Sequence, residues 1–427
     1  MTPPASSGEA GAPTPTPGGH RRLWAAVPFA ALLCFCLILR APVTVVPPLL
    51  VQIRADLGLS AVTAGLLTSI PVLCFGLLTP AASRLMRSTG VNHGALYGVG
   101  AVIAGSVLRS VGGVDTAFAG TILIGAGITI GNLVVPMLIG RDFRQRTELA
   151  TGVYSATVNI AVAVSTALAA PVGLVIGWRL TAALIGTALG GLALAVWLSV
   201  YPPGIRGPRA SIRRRAGLAE LPPAPGRSGR ARSGTRRSMR GLIVLTTLSF
   251  CGHTLAYYAV TAWLPTALME IRAMSQSQAG AAASVFQAAG IAGPLLVPFF
   301  SGALRWTPRR IVVVIGAAWV TMPAGMLLAP QLWLVWSILA GMAQGGYFTV
   351  LMAVLIRRSR NVDENRHATA VVQSVGYCVA ATGPVILGWV HEHISGWNGP
   401  FALILVVVVA MVIIGASAVR EGRGLGD

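Results

Sequence analysis

The chain has 427 residues, of which 54% are hydrophobic and only 10% charged. With a mean hydropathy of +0.73 it lies outside the range of soluble globular domains and reads as a polytopic membrane protein. The formal charge of +20 does not point to nucleic acid, because such binders gather basic residues on one folded face or tail; here arginines punctuate apolar runs. Walker sequences, serine elbows, HExxH and paired catalytic carboxylates do not occur, so the expectation is no enzyme and no cofactor. Five cysteines, Cys34, Cys36, Cys74, Cys251 and Cys378, all fall in apolar runs and suggest neither a disulfide framework nor a zinc site.

Residues 1–22 are rich in Pro, Gly, Ala and Ser and are expected to form a disordered tail. At roughly 20 residues per span, twelve spans follow, about 24–49, 61–82, 94–112, 116–140, 148–175, 179–200, 241–267, 277–303, 309–329, 331–356, 366–392 and 397–419. Between the sixth and seventh lies a polar, Arg-rich linker, 201–240, and a short tail, 420–427, closes the chain. The fold class expected is an all-α membrane protein, twelve transmembrane helices in two six-helix bundles, 23–200 and 241–419. Arginines concentrate in the loops on the side of the N-terminus, whereas the opposite loops hold only Arg54, Arg179 and Arg272. Both termini are therefore expected on the cytoplasmic side of a cell membrane.

The halves match at an offset of roughly 215 residues. SAVTAG (Ser60 to Gly65) answers SQSQAG (Ser275 to Gly280), Gly127 and Gly131 answer Gly341 and Gly345, and Gly177-Trp178 answers Gly396-Trp397. Such internal repeats are expected of transporters whose halves rock about a site near the bilayer midplane. The GxxxG spacings suit close helix contact.

Within the first span stands Arg40, about 24 Å from Trp24 at 1.5 Å per residue. A charge at that depth marks a functional site unless the side chain snorkels to the headgroups. Pro42, Pro47 and Pro48 follow closely and loosen the helix, and freed backbone is tolerated only beside protein or a water-filled cavity. Thr44, Asn132, Asn159, His253, Tyr257, Gln287, Gln344, Gln373 and Tyr377 also fall inside spans. Together with Arg40 they form the candidate substrate-binding set, although each amide or phenol serves equally well to bond neighbouring helices. No Asp or Glu falls mid-span, so a carboxylate proton relay has no seat; His253 is the residue through which protons could act as coupling ion. His391 and His393 flank Glu392 in an HxH at a span end, read as solvated surface rather than a metal site.

Several stretches resemble a known family. Arg40, Pro42 and Thr44 with the following PLL, RADLGLS (Arg54 to Ser60) and AGLLTSIPVLCFGLLTP (Ala64 to Pro80) are similar to the cyanate and nitroimidazole permease branch of the major facilitator superfamily. So are GNLVVPMLIGRDF (Gly131 to Phe143), TGVYSATVNIAVA (Thr151 to Ala163), AWLP (Ala262 to Pro265), AQGG (Ala343 to Gly346) and QSVGY (Gln373 to Tyr377). The resemblance implies alternating access and a small anionic or dipolar cargo. The superfamily's loop signature GxxxDRxGRR is degenerate here: Ala81 to Gly90 reads AASRLMRSTG and lacks the Asp. Drug or metabolite efflux on the same scaffold is the alternative, and a membrane sensor is a third.

Overall fold

The computed structural model describes residues 29–143, 147–201, 233–359, 362–394 and 396–420. The two tails and most of the linker expected from the sequence lie outside these residues. Among those described, the helices run α1 (Phe29–Thr44 continued as Val46–Leu57), α2 (Ala61–Leu77 continued as Thr79–Thr89), α3 (Val91–Ser110) and α4 (Val114–Asp142). The stretch Thr147–Val200 is broken at Gly177, whose φ of 79° no helix accepts, and forms α5 (147–176) and α6 (178–200). The second half holds α7 (Ser233–Arg272), α8 (Gln276–Ala289 continued as Gly293–Gly302), α9 (Pro308–Leu328) and α10 (Trp333–Arg358). It ends with α11 (Val362–Ala380 continued as Gly383–His393) and α12 (Asn398–Arg420). Nine continuous stretches and two bent pairs are long and apolar enough to cross a membrane; counting the stretch broken at Gly177 as two gives the twelve spans.

Boundaries moved where capping chemistry outweighed hydropathy. Arg54, expected in a loop, is helical, because α1 runs on to Leu57 and stops only at Gly58, left-handed at φ 63°. Ser60 then caps α2 by accepting from the Thr63 N–H. Ser275 and Gln278 form a full capping box at the start of α8, the same place in the second repeat. Arg84 and Arg87, also expected in a loop, sit in the second segment of α2, beyond a 58° bend.

The repeat seen in sequence is built in three dimensions. Gly177 and Gly396 both adopt positive φ, 79° and 80°, and each delivers a tryptophan to a carboxylate ending the first helix of its half. Trp178 Nε1 donates 3.0 Å to Asp56, and Trp397 Nε1 donates 2.8 Å to Glu270. At the opposite end of the first bundle, Arg141 grips Asp142 at 2.7 Å and donates to Asn92 at 2.8 Å, and the Tyr201 hydroxyl donates to Asp142, joining α3, α4 and α6.

The GxxxG pairs are contact points. A Cβ on Gly341 or Gly345 would stand 2.3 Å from the Phe286 carbonyl oxygen or 2.4 Å from that of Gly290, so α10 lies against the backbone of α8. In the first half the two glycines serve different neighbours, Gly127 the Gly98 carbonyl on α3 and Gly131 the Leu39 side chain on α1.

Between bundles, α2 lies on α11. A Cβ on Gly65 would meet the Pro384 oxygen at 2.7 Å, and one on Gly388 would meet the Ala61 oxygen at 2.7 Å. The hydrogen bonds seen across the bundles cluster at this same end: Gln52 to Gln276 at 3.0 Å, Gln276 to the Pro48 carbonyl at 2.8 Å, and the Ala61 N–H to the Glu392 carboxylate. Past their mid-helix breaks, the second segments of α2 and α8 pack chiefly on their own bundles. The two bundles are thus closed at the end carrying the α1–α2, α7–α8 and α11–α12 turns.

Candidate substrate-binding cavity

Between the bundles lies a cavity of about 320 Å³, a volume suited to a small solute. Residues from α1, α2 and α5 face residues from α7, α8, α10 and α11 across it. Its floor on the first-bundle side is the break in α1. Pro47 and Pro48 carry no N–H, so the Val43 and Thr44 carbonyls lose their usual helical donors, and α1 bends by 41° after Thr44. The Thr44 hydroxyl turns back along α1, donating 3.1 Å to the Arg40 carbonyl, and lies 2.6 Å from Ser165 Oγ on α5.

Arg40 lines the cavity at this break. Its guanidinium carbon lies 5.2 Å from the centroid of the Phe75 ring, within cation–π range. The phenols of Tyr154, Tyr257, Tyr258 and Tyr377 are its electrostatic neighbours. No described lining residue is Asp or Glu, and Arg40 Nη1, buried from solvent, has no hydrogen-bond partner. Arg40 therefore faces the cavity rather than snorkelling, with aromatic and phenolic side chains beside it.

The second bundle supplies neutral polar groups. Tyr257 donates 3.1 Å to Gln287 Oε1, and Gln287 Nε2 donates 3.0 Å to Thr261 Oγ1. Gln344 rests against the α8 break, its Nε2 only 2.3 Å from where a Gly290 Cβ would stand. Trp319 Nε1 donates 3.3 Å to His253 Nδ1, and the imidazole stacks on Tyr347 with centroids 5.4 Å apart. With Nδ1 accepting, the neutral ring carries its proton on Nε2.

Seven of the expected site residues line this cavity: Arg40, Thr44, Asn159, His253, Tyr257, Gln344 and Tyr377. Three do not. Gln287 is buried one layer back, where it fixes the Tyr257 hydroxyl. Asn132 on α4 and Gln373 on α11 are half-buried elsewhere on their helices. Tyr258, Thr68, Thr254, Phe75, Phe250 and Phe348 line it as well; Tyr258 was legible as a mid-span phenol, while the phenylalanines carry no signal that separates them from ordinary core.

Comparison with known proteins fixes the family. The family model described as "Major Facilitator Superfamily" matches residues 29–301 and 291–424. The chain belongs to the major facilitator superfamily. The chain is 30% identical over 394 residues, 92% of its length and 95% of the relative's, to the 2-nitroimidazole transporter of Escherichia coli K12. It is 26% identical to the cyanate transport protein CynX of the same organism, covering 90% of this chain and 94% of that one. In fold it is similar to a bacterial homologue of the human lysosomal transporter Spinster, crystallised inward-facing and unoccupied. That likeness has a TM-score of 0.67 at 16% identity and covers 93% of this chain and 97% of the other. The D-xylose–proton symporter gives a TM-score of 0.68 at 14% identity, covering 94% and 97%. The chain is thus a multi-pass membrane transporter of small solutes, not an enzyme.

Of the two histidines expected at the solvated surface, only His393 is exposed, whereas His391 is largely buried among aromatic rings. His391 stacks on Trp397 at 4.3 Å with Nε2 3.5 Å from Glu270, and His393 stacks on Trp389. The described residues hold no cluster of three or more metal-ligating groups.

Proposed function

We propose that the cargo is a small anion, or a solute with a strongly negative pole, and that Arg40 is its counter-charge. One observation carries this reading: a guanidinium, one of whose buried nitrogens has no hydrogen-bond partner, lines a cavity with no carboxylate among its described lining residues. An arginine at such depth costs about 2.5–3.5 kcal/mol on insertion scales, and an anion arriving beside it offsets that cost. Phe75 and the surrounding phenols leave the cation short of full compensation, so the cavity keeps its preference for negative charge. Tyr257, Gln344 and Asn159 are the proposed neutral hydrogen-bonding groups. The names of the relatives support the reading, since one transports 2-nitroimidazole and another cyanate.

In the proposed cycle, bundles 23–200 and 241–419 rock about this cavity, with 201–240 as the cytoplasmic link and both termini cytoplasmic. The state described here is then closed to the outside by the α2–α11 contact. The test is uptake of labelled cyanate, nitrite and 2-nitroimidazole into proteoliposomes, with and without a pH gradient. Anion uptake above empty liposomes, faster with the interior positive, is expected, and its response to the gradient measures proton coupling. Absence of uptake of both anions and of 2-nitroimidazole, or uptake that Arg40→Gln leaves unchanged, would overturn the reading.

A further inference from the structure

A second arginine lies inside the first bundle and belongs to no surface of the cavity. Arg109, in the last turn of α3, is 3% exposed, and no ion pair among the described residues includes it. Its Nη1 donates 2.7 Å to the carbonyl oxygen of Pro42. Its Nε and Nη2 are buried without partners. A side chain kept for packing alone would be better replaced by an apolar one of similar volume, since unpaired buried polar atoms each carry a desolvation cost.

What Arg109 grips is informative. Pro42 belongs to Ala41–Thr44, a single helical turn set between Arg40, whose φ and ψ of −132° and −39° are not helical, and the bend after Thr44. That turn is held from two sides: by α5, through Ser165 and the Thr44 hydroxyl to the Arg40 carbonyl, and by α3, through Arg109. The end of α3 is itself tied to the end of α1, because Arg179 donates to the Ser110 carbonyl at 3.3 Å and also to Asp56 at 2.7 Å. The turn that follows Arg40 is therefore fixed in part by two groups, Ser165 and Arg109, that do not line the cavity.

We propose that Arg109 is a positioning residue for the anion site: through the Pro42 carbonyl it sets the 40–45 turn so that the Arg40 side chain faces the cavity over Phe75. The inference rests on the cargo reading above only for its purpose; the geometry it asserts is measurable without any cargo. In a cysteine-free background of the full chain in proteoliposomes, Arg40→Cys and, as a control across the cavity, Thr254→Cys are labelled with an anionic methanethiosulfonate.

Adding Arg109→Leu should change the labelling rate at position 40 by about tenfold, the scale of one lost hydrogen bond from a charged donor, and leave position 254 unchanged. Arg109→Lys, which keeps one donor for Pro42, should restore most of the rate. An unaltered rate at position 40, or equal changes at 40 and 254, would overturn the proposal. If Arg109→Leu does not insert, Arg109→Gln, with a shorter donor, replaces it under the same criteria. Failure of the cargo reading shows separately, as wild-type affinity for anions in Arg40→Gln.

Discussion

α1 and α7 occupy equivalent places in the two repeats, yet midway one is broken and charged while the other is continuous and neutral. Both end on a carboxylate that receives a tryptophan indole, Asp56 from Trp178 and Glu270 from Trp397. Midway they diverge: α1 bends beside Arg40, whereas α7 presents His253, Thr254, Tyr257 and Tyr258 from an unbroken helix. What the halves share builds the scaffold, and where they differ they line the cavity. A helix with two adjacent prolines can expose carbonyls only where something answers them, so the break and the charge arrive together.

The strongest way to break this comparison is to move the charge. Arg40→Thr copies the residue that the Asp56–Glu270 correspondence, 214 residues apart, places at 254, and uptake should fall about a hundredfold or more, as loss of a buried, desolvated charge contact does. Adding Thr254→Arg should not restore it, because Phe75 and Ser165 frame position 40 and not 254; recovery would show that only net charge in the cavity matters. Next comes the contact the bundles share. Gly65→Val should reduce uptake by about tenfold or more with normal membrane insertion, since a Cβ there would stand 2.7 Å from the Pro384 oxygen and overpacking costs about 1–3 kcal/mol.

Smaller effects sharpen the comparison at the corners. Asp56 is paired with the permanent charge of Arg179 at 2.7 Å, whereas Glu270 stands 3.5 Å from a histidine. Asp56→Asn should therefore lower stability by about 1 kcal/mol, and Glu270→Gln by less, both pairs being partly exposed; thermal unfolding in detergent reads the order. Smallest of all, Trp319→Phe should alter affinity by only about two- to threefold, since it removes one neutral hydrogen bond to His253 Nδ1. A larger loss would make the imidazole's proton placement central.

Hydropathy was enough to read the twelve spans and to place Arg40 within the first, and matched motifs were enough to read the repeat. Cavity membership was only partly legible, for a physical reason. A mid-span amide is stable against a neighbouring helix or beside water, and spacing along one helix does not say which side the opposite bundle occupies. Gln344 and Gln287 look alike in sequence, but one touches the cavity and the other holds Tyr257 in place. The breaks in α8 and α11 were missed because Gly290 and Gly383 look the same as glycines that only admit a neighbouring helix. Arg109 was visible as a charge in an apolar run, VIAGSVLRS (Val102 to Ser110), and its position near a span end concealed that it points inward.

The claim on which the rest depends is that one guanidinium gives the cavity its preference for negative charge. Tryptophan fluorescence titration of purified wild-type and Arg40→Gln protein with cyanate, nitrite and neutral 2-nitroimidazole measures it directly. The account predicts that the substitution weakens anion binding at least about thirtyfold, about 2 kcal/mol, while affinity for the neutral compound changes far less. Equal anion affinity in the two proteins would contradict it.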